Sequence, residues 1–211
     1  GNTSGNLTLS ATSGTVTYPS TKTFTVSKNV SGGQLSVKSS NESIATASIS
    51  GTTVTITPKV ITTDGQKVTI TVTSAATSNY EAQTTTYEVT VNRGTITLSA
   101  TAAAPTYTGS AQKTITSVSV TPTDATVEYA LGSGTYSTTV PTVTTAGTYT
   151  VSIKASKTGY APKEITKTVT VSNAKTATAS AANKTYTGSA QTGVTGSNVD
   201  FIIEGINKYL L

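Results

Sequence analysis

The chain is predicted to be all-β and built of tandem sandwiches, and three observations carry that prediction. Apolar residues alternate with Thr, Ser or Lys in short runs of period two, so each run has one apolar and one polar face. The chain is only 35% apolar and 11% charged, and its polar mass is Thr and Ser. Threonine is β-branched and fits a pleated, half-exposed surface, whereas a polar mass of Pro, Glu and Lys would signal disorder. The third observation is self-similarity. Residues 97–112 recur as 176–191, and the run Thr8-Leu9-Ser10-Ala11-Thr12 recurs as Thr97-Leu98-Ser99-Ala100-Thr101. The two spacings, 79 and 89 residues, are each the length of one small β domain, which frames the chain as residues 1–93, 94–173 and an incomplete third copy, 174–211.

In chain order, the first unit carries its alternation at Leu7/Leu9, Phe24/Val26, Leu35/Val37, Val54/Ile56, Val68/Ile70/Val72 and Tyr87/Val89/Val91. Gly32-Gly33, Ser50-Gly51 and Asp64-Gly65 are the turn signals between them. The second unit is expected to place strands at 96–100, 114–120, 126–131, 138–143, 148–155 and 164–171, with a turn at Leu131-Gly132-Ser133-Gly134 and a hairpin at Lys157-Thr158-Gly159-Tyr160-Ala161-Pro162. Thr, Ser, Val and Gly are poor helix formers, so negligible helix is expected. The connections Asn92-Arg93-Gly94 and Ser172-Asn173-Ala174 are expected to be too short for free tumbling.

The first unit also carries the runs Ser39-Ser40-Asn41-Glu42-Ser43-Ile44-Ala45-Thr46, Gly51-Thr52-Thr53-Val54-Thr55-Ile56 and Gly65-Gln66-Lys67-Val68-Thr69-Ile70-Thr71-Val72. In this order they resemble the bacterial immunoglobulin-like repeats of surface proteins, group 2 type. In the second unit, Ala146-Gly147-Thr148-Tyr149-Thr150-Val151 followed by Gly159-Tyr160 is similar to related immunoglobulin-like repeats of bacterial adhesins and multidomain secreted enzymes. The resemblance implies tandem immunoglobulin-like β-sandwiches. It also makes Tyr149 the tyrosine of a strand-F corner, its hydroxyl on a nearby backbone group and its ring mostly buried. Val151 then stands where such domains place a cysteine. Some surface domains of this kind carry a Lys–Asn isopeptide bond beside a buried acid. Of the matching positions, Lys113 and Asn173 are expected to suit it, but Glu128 and Asn92 have outward parity, so no such bond is expected.

The composition excludes several function classes. There is no Cys or His, which removes disulfides, thiolate metal sites and the common nucleophile–base pairs. Asp124 and Glu128 are expected to be a turn residue and an exposed strand residue rather than a catalytic pair, and no enzyme activity, cofactor or metal site is expected. The net charge of +5 is spread along the chain instead of clustered with aromatics, so no nucleic-acid partner is expected. No apolar run approaches the roughly 20 residues that span a bilayer, so no membrane insertion is expected.

The residues left as binding candidates are Lys154, Lys157, Tyr160 and Lys163 around the second unit's hairpin, a basic rim that suits a cell-surface glycan or a host or cell-wall component. Lys on exposed strands also blocks edge-to-edge pairing, which is the plainer role for them. Tyr107, Tyr149 and Tyr186 are expected to be structural, Tyr107 and Tyr186 by packing where one unit meets the next. The apolar end of the chain, residues 197–211, is expected to dock on the second unit or on a second copy of the chain, which would make a homodimer. Together these expectations describe a non-catalytic stalk or adhesion segment of a secreted or surface-anchored bacterial protein. The alternative is an accessory carbohydrate-binding module of a secreted polysaccharide-active enzyme or of a phage virion.

Overall fold

The computed structural model describes residues 3–174 and the backbone of two short strands near the C-terminus. Tyr186 and the side chains of 197–211, with the docking expected of them, lie outside the described residues. All regular elements among the described residues are strands.

The first eight strands are β1 (Leu7–Leu9), β2 (Ser13–Thr17), β3 (Lys22–Asn29), β4 (Leu35–Ser39), β5 (Ala45–Ser50), β6 (Thr53–Pro58), β7 (Gln66–Ser74) and β8 (Gln83–Asn92). They form two four-stranded sheets, in the orders β1-β3-β6-β5 and β2-β8-β7-β4. Written in immunoglobulin letters these are A-B-E-D and A′-G-F-C, the strand orders of that sandwich. Alternation decides what faces inward. Phe24, Val54, Ile56, Val68, Ile70, Val72, Tyr87, Val89 and Val91 are all buried, drawn from both sheets. At the centre Phe24 lies flat on Tyr87, ring centroids 4.2 Å apart and planes 8° from parallel. An aromatic pair of this kind contributes about 0.5–1.5 kcal/mol beyond the area it buries.

Two strands were not legible from alternation. The first is β2, which runs parallel to β8 from Ser13↔Glu88 to Thr17↔Asn92. A run of Ser, Gly and Thr carries only one apolar residue, Val16, so it has no period to read. The second is β5, whose first residues, Ala45 and Thr46, close the serine- and asparagine-rich run. The side chains of that run bond mostly within it, with one tie to β7. Ser39 Oγ donates to the Ala45 carbonyl at 2.7 Å, the Ser43 amide donates to Asn41 Oδ1 at 3.1 Å, and the Thr69 amide donates to Ser40 Oγ at 2.9 Å. The motif therefore encodes the turn between β4 and β5, using Ser and Asn side chains as backbone substitutes.

The remaining described strands are β9 (Thr97–Ala102), β10 (Gln112–Lys113), β11 (Ile115–Thr121), β12 (Thr126–Leu131), β13 (Thr142–Val143), β14 (Gly147–Ser156), β15 (Lys163–Val171), β16 (Thr178–Ala181) and β17 (Val194–Ser197). Their sheets are β11-β9, β10-β13, β12-β14-β15 and β16-β17. The order β12-β14-β15 corresponds to C-F-G. The expected strand over 138–143 is cut to Thr142–Val143, because Pro141 has no amide to give a ladder. Its carbonyl instead accepts from the Thr114 amide at 3.1 Å and from Thr114 Oγ1 at 2.8 Å, which satisfies a fully buried threonine.

By compactness the described chain forms two units. The first is Gly1–Ser99 with Ser119–Glu128 and Ile153–Ile165; the second is Ala100–Val118, Tyr129–Ser152 and the described residues from Thr166 on. The first unit holds the core described above together with Ile96, Leu98, Ile153 and Ala155. The second has Ile115, Tyr129, Ala130, Val143, Val151, Val169 and Val171 as its buried residues.

Candidate functional site

The first unit contains a ring of polar and aromatic groups around the segment Asn92-Arg93-Gly94, and this is where the chemistry-bearing side chains gather. It begins at the Asp64-Gly65 turn before β7. Gly65 has φ +77°, which admits the tight reversal, and its amide donates to Asn92 Oδ1 at 2.8 Å. Asp64 Oδ1 accepts from the Arg93 backbone amide at 2.8 Å and from Arg93 Nε at 3.1 Å, while Arg93 Nη2 donates to Asp64 Oδ2 at 3.3 Å. The side-chain bonds from Arg93, and then its backbone amide, hold the Asp64 carboxyl below its ordinary range. The forked geometry suits Arg and would not survive as Lys.

Gly94 follows, and both its backbone groups are taken. Its amide donates to the Gly159 carbonyl at 2.9 Å, and its carbonyl accepts from the Ala161 amide at 2.9 Å. Aromatic rings close over it: Tyr18 and Tyr160 meet edge to face, centroids 5.8 Å apart and planes at 86°. A Cβ at Gly94 would stand 2.4 Å from Tyr160 Cδ1 and 2.7 Å from the Tyr18 carbonyl oxygen; one at Gly159 would stand 2.3 Å from Tyr18 Cε1. Glycine is required at both positions by close approach, and at Gly159 also by its φ of +87°.

The sequence-derived candidates fall around this ring with different environments. Tyr160 is half-buried against Tyr18 rather than open for a ligand ring. Lys157 Nζ donates to both carboxylate oxygens of Asp124 at 2.7 Å and sits 5.4 Å from the Tyr160 ring centroid. The Asp124 bond raises the ammonium's pKa, and the Lys157 bond lowers that of Asp124. Lys157 is thus neutralised locally, and Asp124 acts as its partner. Lys154 is half-buried on β14, and Lys163 is exposed at the start of β15. Lys163 lines an open groove of about 330 Å³ together with Asp64, Asn92, Arg93, Thr95 and Pro162, all within the first unit.

In the second unit the Tyr149 hydroxyl donates to the Thr145 carbonyl at 2.8 Å, four residues upstream, as a corner requires. The ring is half-buried rather than mostly buried, because Tyr149 lies near the open end of β14, two residues before the fully buried Val151. Tyr107 is 43% exposed, and its backbone amide donates to the Ser172 carbonyl at 2.8 Å. Asn173, expected to face inward, is exposed because it lies beyond the end of β15, where strand parity no longer applies. Lys113 is exposed, and Glu128 is half-buried.

Arg93 and Asp64 were missed as site residues. The signal was present only as a turn Asp and a lone Arg far apart in sequence. Their meeting depends on β7 lying beside β8 with Gln66 opposite Val91. Among the described residues, no three His, Cys, Asp or Glu side chains are grouped so as to hold a metal ion, and no helix is long and apolar enough to cross a membrane.

No protein family matches the sequence, and no curated protein does. Solved structures similar to the chain include the titin domains z1z2 in complex with telethonin, at 15% identity over 82% of this chain and 98% of that one, TM-score 0.39. The fibronectin(III)-like modules of Clostridium thermocellum CbhA are similar at 14% identity over 80% and 95%, TM-score 0.31. DIP-gamma IG1+IG2 is similar at 11% identity over 81% and 98%, TM-score 0.32.

Proposed function

We propose that this chain is a non-catalytic, immunoglobulin-like stalk and adhesion segment of a secreted or surface-anchored bacterial protein, with residues 1–93 and 94–173 as successive repeats. The single observation that carries the reading is the parallel pairing of β2 with β8, five residues on each side. These strands lie near the two ends of the same sandwich. Tension applied through its ends pulls β2 backward along its own axis and β8 forward along its own. The slanted bonds of a parallel ladder are then loaded together, in shear, instead of opening one after another. The bond from the Tyr18 amide to the Asn92 carbonyl, 2.9 Å, and the bond from the Glu88 amide to the Thr12 carbonyl, 2.9 Å, extend the ladder at both ends. Upstream, Thr3 donates to the Asn79 carbonyl at 3.0 Å and accepts from the Glu81 amide at 2.9 Å, which adds a second hold on the start of the chain. Such an arrangement suits a part that transmits force, and the lack of His and Cys suits a part that does no chemistry.

Single-molecule stretching of the full chain tests this. The sandwich of β1 to β8 is expected to give way in one step, releasing on the order of 300 Å of contour at roughly 3.5 Å per residue. Val16→Pro removes an amide from β2 and should lower the peak force more than Val54→Ala, which empties core space away from the ladder. Equal peak forces for the two variants would refute the stalk reading.

A further inference from the structure

The groove beside Arg93 carries an excess of hydrogen-bond donors that the fold does not use. Its carboxylate, Asp64, already accepts three bonds from Arg93, and Asn92 Oδ1 already accepts the Gly65 amide. The acceptors are therefore largely committed to structure. The donors are not: Asn92 Nδ2 and the remaining N–H groups of the Arg93 guanidinium have no hydrogen-bond partner among the described residues, and Lys163 stands exposed at the rim. Two cations and one carboxylate leave the groove with a net charge of +1. One wall is apolar, formed by Pro162 with Ala161 and the buried Ile96. The floor is held in place, since the Arg93 amide and both backbone groups of Gly94 are bonded. Little ordering cost would therefore be left for a ligand to meet. A volume of about 330 Å³ falls at the small end of ligand clefts and has room for a sugar unit.

We infer that this groove binds a carboxylated sugar unit, its carboxylate against Arg93 and Lys163 and the C–H face of its ring against Pro162. The assignment deepens the adhesion reading above and rests on it, giving the segment a ligand class. It moves the binding role from Lys157, whose charge Asp124 cancels, to Lys163, with Arg93 adding the N–H groups that its fork to Asp64 leaves over. Neutral sugars would leave the groove's net positive charge, carried at the rim by Lys163, unmatched. A simple anion would leave the apolar wall unused.

The test is a two-dimensional NMR titration of the full chain with glucuronate, with glucose and acetate as controls. Glucuronate is expected to shift the amides of Thr95, Ala161 and Lys163 saturably, with Kd on the order of 1 mM, while glucose leaves them in place and acetate binds more weakly. Lys163 is exposed, so Lys163→Gln should keep the fold and weaken glucuronate by roughly five- to tenfold, as loss of one charge-assisted contact does. Asp64→Asn releases the guanidinium fork and should tighten glucuronate severalfold wherever its spectrum stays dispersed. Silence toward glucuronate, an equal response to glucose or acetate, or unchanged affinity in Lys163→Gln would each overturn the assignment. Lys163→Gln leaves the stretching trace untouched, so loss of this site and loss of the stalk reading are told apart.

Discussion

Gly94→Ala is a sharp perturbation of the segment that the candidate site is built around. The added methyl would stand 2.4 Å and 2.5 Å from two ring carbons of Tyr160 and 2.7 Å from the Tyr18 carbonyl oxygen. A ring edge can swing aside, but this ring is braced by Tyr18, and the carbonyl is backbone. Ordinary contact begins near 3.4 Å, so the segment must move by about 0.7 Å against the oxygen alone. That movement opens the bonds from Gly94 to Gly159 and from Ala161 to Gly94. Each is worth about 0.5–1.5 kcal/mol, and overpacking costs typically 1–3 kcal/mol. Part of each is recovered by relaxation, which leaves an expected loss of about 3 kcal/mol. In a urea melt with m of about 2 kcal/mol/M this lowers the midpoint by about 1.5 M. The companion is Gly51→Ala, at φ +59° with nothing within 4 Å, where backbone strain alone should cost about 1 kcal/mol. If Gly94→Ala costs no more than Gly51→Ala, the close approach of Tyr18 and Tyr160 over Gly94 is refuted.

Phe24→Ala should destabilise by about 3–5 kcal/mol in the same melts, since a core ring that is 4% exposed and stacked on Tyr87 leaves a cavity. Tyr149→Phe should cost about 0.5–1.5 kcal/mol, because the Thr145 carbonyl it releases is near enough to solvent to find water; a change under about 0.3 kcal/mol would mean the corner bond contributes nothing. Stability followed by circular dichroism against pH should be flat near neutrality and fall at both ends. Asp64 and Asp124 have folded pKa values below 3.8, so their contribution is present above that value and lost as pH falls through the folded values. Burial raises Tyr87 and Tyr129 above 10.0, so the unfolded chain loses its phenolic protons first and stability declines as pH rises past 10. Stability that rises above pH 10 would contradict the burial of both rings.

Period-two alternation determined a great deal by itself. It assigned Phe24, Val54, Ile70, Tyr87 and Val91 to the core, because a strand offers only two faces and only one of them can leave water. The turn residues Gly51 and Gly65 separated the strands for an equally local reason: their positive φ costs glycine almost nothing. The corner bond of Tyr149 was legible too, through the resemblance of residues 146–151 to an immunoglobulin strand-F corner, and the structure supplies its acceptor, the Thr145 carbonyl. What alternation could not decide is which strand lies beside which. The parallel seat of β2 on β8, the fork between Asp64 and Arg93, and the closure of Tyr18 and Tyr160 over Gly94 all join residues distant in sequence. None leaves a periodic trace, because each depends on register and on chain reversal at other points of the fold. The exposure of Tyr107 and the half-burial of Tyr149 belong to the same class. A strand's parity says which way a ring points, and only the tertiary structure decides whether anything is there to cover it.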